Sequence, residues 1–395
     1  MNISTIATRA LNRAKLSVGD LSFRDIAYDF LDEIIQEHWE RKHWQFRKKS
    51  YTISAVSGTG EYTLNKLATV QSIVPKSMRG SDPVRYIKYR PATEHYRVRF
   101  DSQSGSPYYF REGTLQGFQT NPSSASVITF SSSLANYTTG TITVVNGSNR
   151  LVFAGGATIT LDMIGRWIRI GTDIKAYRLV KRDFGSSSVY YLNEPYDGVS
   201  VAGATFAIGD IQQKASVLGY VSGQLQEEEI QLNGATTVAT TKSFTSILRI
   251  SKSDKTHGYI TATSNSAAVT NIILDPGETE ADFQTIIFDP TPSATETINY
   301  DAYIRHPHLY KPTDSPLFPN QFHPLLVIDL YIRLMNEWHG KDVAQDVLDR
   351  RAGLLNDMIL IDNNTDGWDI LQETEESSER TRLDNLPVSY GGSED

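Results

Sequence analysis

Two histidines near residue 306 are the first candidates for chemistry in this sequence. His306 and His308 stand two residues apart, and Asp301 and His323 lie nearby along the chain. Imidazoles can bind zinc, but structural zinc sites usually combine ligand pairs at defined spacing. Because this Pro-rich segment lacks spaced carboxylates, we predict that the histidines are structural and that the chain holds no metal.

The sequence also lacks the common catalytic motifs. It contains no cysteine, so it has no thiolate nucleophile or thiolate metal ligand. A glycine-rich phosphate loop, a Gly-x-Ser-x-Gly elbow and a His-Glu-x-x-His motif are absent. We interpret Glu227-Glu228-Glu229 as a solvated start of a strand, while an isolated carboxylate pair for glycoside hydrolysis stays open. We predict no enzyme, no catalytic residue and no cofactor.

Basic residues cluster in two places. In residues 39–49, bases alternate with Trp39, Trp44 and Phe46, a pattern that suits either nucleic-acid binding or packing beneath a sheet with the bases in solvent. The helical spacing of the rings favours packing. Residues 79–99 contain six bases and two acids, which indicates either a solvated sheet face or a surface for acidic partners.

Overall composition indicates a globular protein with an acidic end. Of the 395 residues, 39% are apolar, and the formal net charge is −8. Residues 362–395 hold ten acids and two bases, so the whole imbalance lies there. We find no signal-peptide pattern and no apolar run long enough to span a membrane.

Periodic apolar residues predict four helices that would position these groups. The spacing predicts helices over about 3–16, 22–48, 321–339 and 341–361, with Ser22 as the cap of the second. The side chains expected to pack in this helical core are Phe30, Ile34, Trp39, Trp44, Phe322, Leu326, Leu334 and Trp338.

Short alternating strands fill the middle of the chain. Asn-Gly pairs at 146–147 and 233–234 predict tight turns between strands. We therefore expect two inserted all-β modules, a barrel or sandwich at 131–212 and an immunoglobulin-like sandwich at 213–295. The predicted fold is α+β and multidomain, with a helical core and small β-strands at 1–130 and 296–361.

Short motifs occur in order along the two outer segments. They are Trp44-Gln45-Phe46, Ser57-Gly58-Thr59-Gly60-Glu61-Tyr62-Thr63-Leu64, Gly105-Ser106-Pro107-Tyr108-Tyr109-Phe110, Asn121-Pro122, the run from Asp314 to His323, and Gly340-Lys341-Asp342. In these motifs the outer segments resemble the head-to-tail adaptor proteins of tailed bacteriophages. The blocks at 131–209 and 215–295 look like β-modules and immunoglobulin-like insertions of phage structural proteins.

The resemblance implies a structural protein of the virion. It implies a non-enzymatic ring, usually of twelve copies, beneath the portal protein at the neck between capsid and tail. The ring would surround the channel through which double-stranded DNA passes. It would contact the portal protein and tail-tube, nozzle or collar proteins, and it would not contact a membrane. Assembly would take place in the cytoplasm of a bacterial host.

The acidic segment 362–395 is the candidate arm for docking to the portal. Its alternative is a disordered acidic tail that contacts nothing. Two other functions stay open, a receptor-binding or fibre-attachment protein of the tail and, third, a glycan-degrading tail enzyme. The apolar anchors of the candidate arm are Trp368, Ile370, Leu371, Leu383, Leu386, Val388 and Tyr390.

Overall fold

Strands dominate the molecule. The computed structural model describes residues 1–80, 85–91, 104–183, 185–340 and 343–365, and strands account for 36% of the residues against 22% for helices. The predicted α+β class with several sheets is confirmed. The predicted helical adaptor core with small β-strands is wrong, because the outer segments build several sheets beside their helices.

Four α-helices lie in the part of the chain that the structure describes. Asn2 caps the first by accepting a hydrogen bond from the Thr5 amide at 2.9 Å. Asp20, not Ser22 as predicted, caps the second by accepting from the Ser22 amide at 2.9 Å. Gly340 ends the third in the left-handed conformation, with φ 54°. The helices are α1 (Ile3–Arg13), α2 (Leu21–Glu40), α3 (His323–His339) and α4 (Gln345–Thr365).

The second helix is shorter than predicted because the aromatic run folds back beneath it. α2 ends at Glu40, and a short 3-10 turn follows at Gln45–Arg47. The Trp39 indole donates to the Ile304 carbonyl at 2.6 Å, and the Trp44 indole donates to the His38 carbonyl at 2.8 Å. Both rings are fully buried among the helices, which agrees with the packing interpretation of this run.

The strands are short and mostly antiparallel. In chain order they are β1 (Lys48–Ala55), β2 (Glu61–Thr63), β3 (Lys88–Tyr89), β4 (Ser104–Gly105), β5 (Tyr109–Gln116), β6 (Thr129–Ser132), β7 (Thr141–Val144), β8 (Arg150–Ala154), β9 (Trp167–Ile170), β10 (Ala176–Arg182), β11 (Val189–Leu192), β12 (Val201–Ala204), β13 (Phe206–Gly209), β14 (Lys214–Val221), β15 (Gln224–Gln231), β16 (Val238–Ala239), β17 (Ser246–Lys252), β18 (Ile260–Ser264), β19 (Val269–Leu274), β20 (Phe283–Asp289), β21 (Thr291–Pro292) and β22 (Glu296–Tyr303).

The outer unit, α1–α4 with β1–β5 and β20–β22, joins the two ends of the chain. β1 pairs with β22 over eight residues, and β20 lies between β2 and β5 in a sheet of order β2-β20-β5-β3. One core packs the four helices together, and a second lies under these sheets. The predicted boundary at residue 295 lies after β20 and β21, which belong to this unit.

The two β-modules are nested rather than consecutive. β6 pairs with β16 and β18, and two sheets of order β15-β14-β17 and β16-β6-β18-β19 share one core. We call this the sandwich. The seven-stranded module, β7–β13, has its own core and is inserted between β6 and β14. Its sheet is strongly curved, because the Phe153 and Phe206 rings lie on strands that are not neighbours in the sheet and yet are 5.2 Å apart.

Within the described residues, no helix is both long and apolar enough to span a membrane.

Candidate functional site

An acidic row on α2 lies where the three units meet. Asp25, Asp29 and Asp32 are four and three residues apart, so they share one face of the helix. Each carboxylate binds a cation from a different segment. Arg178 of β10 lies 2.9 Å from Asp25, Lys255 of the sandwich pairs with Asp29, and the outer unit's own His308, 2.7 Å away, pairs with Asp32.

Tyr310 ties these ion pairs together. Its hydroxyl accepts a hydrogen bond from Arg178 Nη2 at 2.9 Å. The Lys255 ammonium lies 5.4 Å from the ring centroid, and the His257 ring lies 5.5 Å away. Burial raises the pKa of Tyr310, so the hydroxyl stays neutral. We call Asp25, Asp29, Asp32 and these partners the α2 junction.

Electrostatics make the α2 junction sensitive to acid. The hydrogen bond with Asp32 raises the pKa of His308 above its ordinary value, although burial opposes this. Burial raises the pKa of Asp25 and outweighs the opposing charge of Arg178. Weakly acidic solution therefore favours the charged form of His308 and reduces the burial cost of Asp25.

A second junction holds the seven-stranded module to the sandwich. Asp210, immediately after β13, is fully buried. Its carboxylate accepts hydrogen bonds from Ser132 Oγ at 2.8 Å and from the backbone amides of His257 and Gly258 at 2.8 and 2.9 Å. Burial alone would raise the pKa of Asp210, but the hydrogen bonds, led by those from His257, hold it below its ordinary value.

The two chain crossings between these modules pack side by side. The Asn136 side chain, on the first crossing, lies against Gly209 and Gly234. A Cβ atom added at Gly209 would lie 2.1 Å from Asn136 Oδ1, and one added at Gly234 would lie 1.9 Å from it. At such distances a larger residue at either position would require the Asn136 side chain to move, so both positions favour glycine. We call Asp210, Asn136 and their partners the linker junction.

A buried lysine stabilises the neighbouring loops of the sandwich. Lys252 Nζ donates to Thr256 Oγ1 at 2.7 Å and to the carbonyls of Asp275 and Pro276 at 2.7 and 2.9 Å. Burial lowers the pKa of Lys252 to about 7. All three of its donors are used, so Lys252 acts as a structural cross-link.

The predicted histidine candidates are not brought together. His306 Nε2 accepts from the Leu317 amide at 2.9 Å, and burial lowers its pKa to about 4. His323 Nδ1 lies 2.6 Å from the N-terminal amine, and Asp301 accepts from Ser50 Oγ at 2.5 Å. Among the described residues, no group of three His, Cys, Asp or Glu side chains could hold a metal ion.

A cavity lies between α2, α3 and α4. It measures about 280 Å³ and is lined by aliphatic side chains and by an ion-pair cluster. His38 Nε2 lies 2.5 Å from Asp329 Oδ2, and Arg351 of α4 binds the other oxygen of Asp329. No hydroxyl or thiol side chain lines it among the described residues. The cluster cross-links the three helices.

The predicted helix-packing residues lie in the core that packs the four helices, and of the predicted arm 362–395 the structure describes only residues 362–365, the end of α4. Phe30 and Trp338 are partly buried, with ring centroids 6.5 Å apart. Glu227-Glu228-Glu229 lies inside β15 rather than at its start. Ile34, Trp39, Trp44, Phe322, Leu326 and Leu334 are buried. The arm residues Trp368, Ile370, Leu371, Leu383, Leu386, Val388 and Tyr390 lie outside the described residues.

Comparison with known proteins gives no support to the adaptor resemblance. No protein-family model matches the sequence, and a search of curated proteins finds no similar one. Together with the strand-dominated fold and its several sheets, this overturns the assignment to the head-to-tail adaptor family.

Neither junction was predicted from the sequence, although the acidic row of the α2 junction has a recognisable spacing. The spacing of Asp25, Asp29 and Asp32 is visible in the sequence and predicts an acidic helix face. Asp210 and Asn136 had no comparable signal. Their roles depend on which strands pair across the chain, and no local pattern specifies that.

Proposed function

We propose that this protein is a structural component of a virion that holds its partners in a fixed relative geometry and performs no catalysis. The proposal keeps the structural role in a virion that the resemblance implied. It gives up the adaptor family and the helical ring.

The α2 junction carries this proposal. One helix face binds a cation from the seven-stranded module, another from the sandwich and a third from the outer unit. A second set of buried hydrogen bonds at Asp210 fixes the two β-modules to each other. A chain whose inserted modules are fastened at several points suits a role in positioning.

The far end of the seven-stranded module offers a contact surface for such a role. Ile174 and Val199 are 90% and 80% exposed on neighbouring loops. Those loops are held together, since Tyr196 Oη donates to Asp173 at 2.7 Å and Lys175 lies 2.9 Å from Asp197. We assign contact with a partner to this surface.

Antibody-gold labelling of intact particles from the source lysate tests the proposal. We expect regular label at one site on each particle, and no glycan cleavage by the purified protein. Label at the neck would support a connecting role, and label at the tail tip or fibres would support the receptor-binding alternative. Unlabelled particles, or cleavage of a glycan substrate, would contradict the structural role.

A further inference from the structure

The outer unit presents a basic edge at β3. Among the described strands, β3 is the last in its sheet and pairs in parallel with β5. The Lys88 amide donates to the Tyr108 carbonyl at 3.0 Å, and the Arg90 amide donates to the Phe110 carbonyl at 2.9 Å. These bonds fix the side chains of the two strands in a defined register.

Two arginines on this edge stack on tyrosines. The guanidinium carbon of Arg85 lies 3.1 Å from the centroid of Tyr108, and that of Arg90 lies 3.6 Å from the centroid of Tyr109. A guanidinium that stacks on a ring keeps its N–H groups in its own plane, where they can bind phosphate or carboxylate oxygens. The stacking therefore orients both cations without using up their donors.

The donors and charges near this edge are incompletely matched. Nη1 of Arg90 and Nε of Arg111 are buried atoms that have no hydrogen-bond partner among the residues that the structure describes, so a phosphate would contact the other donors of these side chains. Residues 85–91 contain three cations and no acid. The one acid on β5, Glu112, accepts a hydrogen bond from Gln71 at 3.1 Å. With Arg111 on the same strand, cations outnumber acids on β3 and β5 and in the residues that flank β3, so this described edge attracts anions.

We propose that this edge binds single-stranded nucleic acid, with Arg85, Lys88 and Arg90 contacting phosphates and Tyr89 and Tyr108 stacking on bases. Both tyrosines are 46% exposed. Alternating cations and exposed aromatic rings are the combination by which proteins bind single strands without sequence preference. An acidic protein would use the cations but not the ring faces, and a duplex does not expose its bases for stacking. The proposal is independent of the structural role proposed above.

Fluorescence anisotropy of the full chain with a labelled oligonucleotide of about 20 nucleotides tests the site. We expect wild-type binding to weaken with salt, by about 0.7 logarithmic units per tenfold salt for each phosphate contact. The triple variant Arg85→Gln, Lys88→Gln, Arg90→Gln should reduce that slope by about 2. A matched variant, Lys181→Gln, Lys214→Gln, Arg249→Gln, removes the same charge from the β-modules and should bind like wild type.

A second variant separates stacking from charge. Tyr89→Ala should weaken single-strand binding about tenfold and leave the salt slope unchanged. The exposed single variant Lys88→Gln serves if the triple variant does not fold, and it should reduce the slope by about 0.7. The proposal is overturned if the wild-type protein does not bind, or if the matched variant loses as much affinity as the triple variant. It is also overturned if duplex DNA binds as tightly as the single strand, or if polyglutamate competes as well as an unlabelled oligonucleotide.

Discussion

The two junctions of this molecule fasten its parts in opposite ways. The linker junction uses a fully buried carboxylate and three short hydrogen bonds. The α2 junction uses ion pairs that are partly exposed, such as that between Lys255 and Asp29, whose side chains are 32% and 49% exposed. Removing one partner of a buried polar group is costly, whereas exposed ion pairs contribute little and are screened by salt. The comparison predicts a strong joint between the β-modules and a weaker, salt-dependent one at α2.

Replacing Asp210 should have the largest effect. Asp210→Ala leaves Ser132 Oγ and two buried amides without their acceptor, and we expect a loss of about 4 kcal/mol in the free energy of unfolding. Denaturant unfolding followed by amide hydrogen exchange in residues 132–141 and 209–214 measures it. Asp210→Asn, which keeps one acceptor oxygen, should lose less. A loss below about 1 kcal/mol for Asp210→Ala would show that this joint is not the stronger one.

Filling the space beside Asn136 should have the next largest effect. Gly234 has φ +58°, and an added Cβ atom would lie 1.9 Å from Asn136 Oδ1. We expect Gly234→Ala to cost about 3 kcal/mol, from the left-handed backbone and the overlap together.

Gly147 provides the control for that substitution. It has φ +77° and nothing within 4 Å of an added Cβ atom, so Gly147→Ala should cost only the backbone strain of about 1 kcal/mol. Thermal unfolding of both variants gives the comparison. If the two variants lose equal stability, close packing at the crossing contributes nothing.

The acidic row on α2 should show a smaller effect that depends on salt. The variant Asp25→Asn, Asp29→Asn, Asp32→Asn removes three ion pairs, each worth about 0.5 kcal/mol at low ionic strength. We expect its deficit in unfolding free energy to shrink in about 1 M salt, where the Debye length is about 3 Å. Glu33→Gln, Glu37→Gln on the same helix removes the pairs with Arg333 and serves as the control. A deficit independent of salt would place the α2 junction in the same class as the linker junction.

Sequence patterns predicted the local secondary structure much better than they predicted the two junctions. The apolar periodicity predicted the ends of the four described helices to within a few residues, with one exception. The helix α2 stops at Glu40, because Trp44 turns back beneath it. The β-rich middle was recognised as well. The nesting was not, because β6 pairs with β18 across more than a hundred residues, and alternation along a strand does not identify its partner. Asp210 became visible as a site only when that pairing was known.

The smallest predicted effect, a pH dependence, separates the two junctions by its sign. The pKa of His308 is raised above 6.5 by Asp32, so its contribution is complete below about pH 6.5 and is lost as the pH rises through the raised pKa. Asp210 has a depressed pKa, starting from 3.8, so its contribution is complete above that pH and is lost as the pH falls through the lowered pKa. Between the lowered pKa of Asp210 and the raised pKa of His308, both groups keep their charge.

Comparing His308→Gln with wild type at several pH values isolates the α2 junction. We expect the difference in unfolding free energy to be about 0.5 kcal/mol near pH 5.5 and to vanish at alkaline pH, where the wild-type imidazole is neutral. The Asp210→Asn deficit should instead persist at alkaline pH, because Asp210 remains ionised there and its donors Ser132 Oγ and the two backbone amides do not titrate. If the His308→Gln deficit instead grew with rising pH, a neutral histidine would be the stabilising form. The α2 junction would then depend on packing rather than on charge.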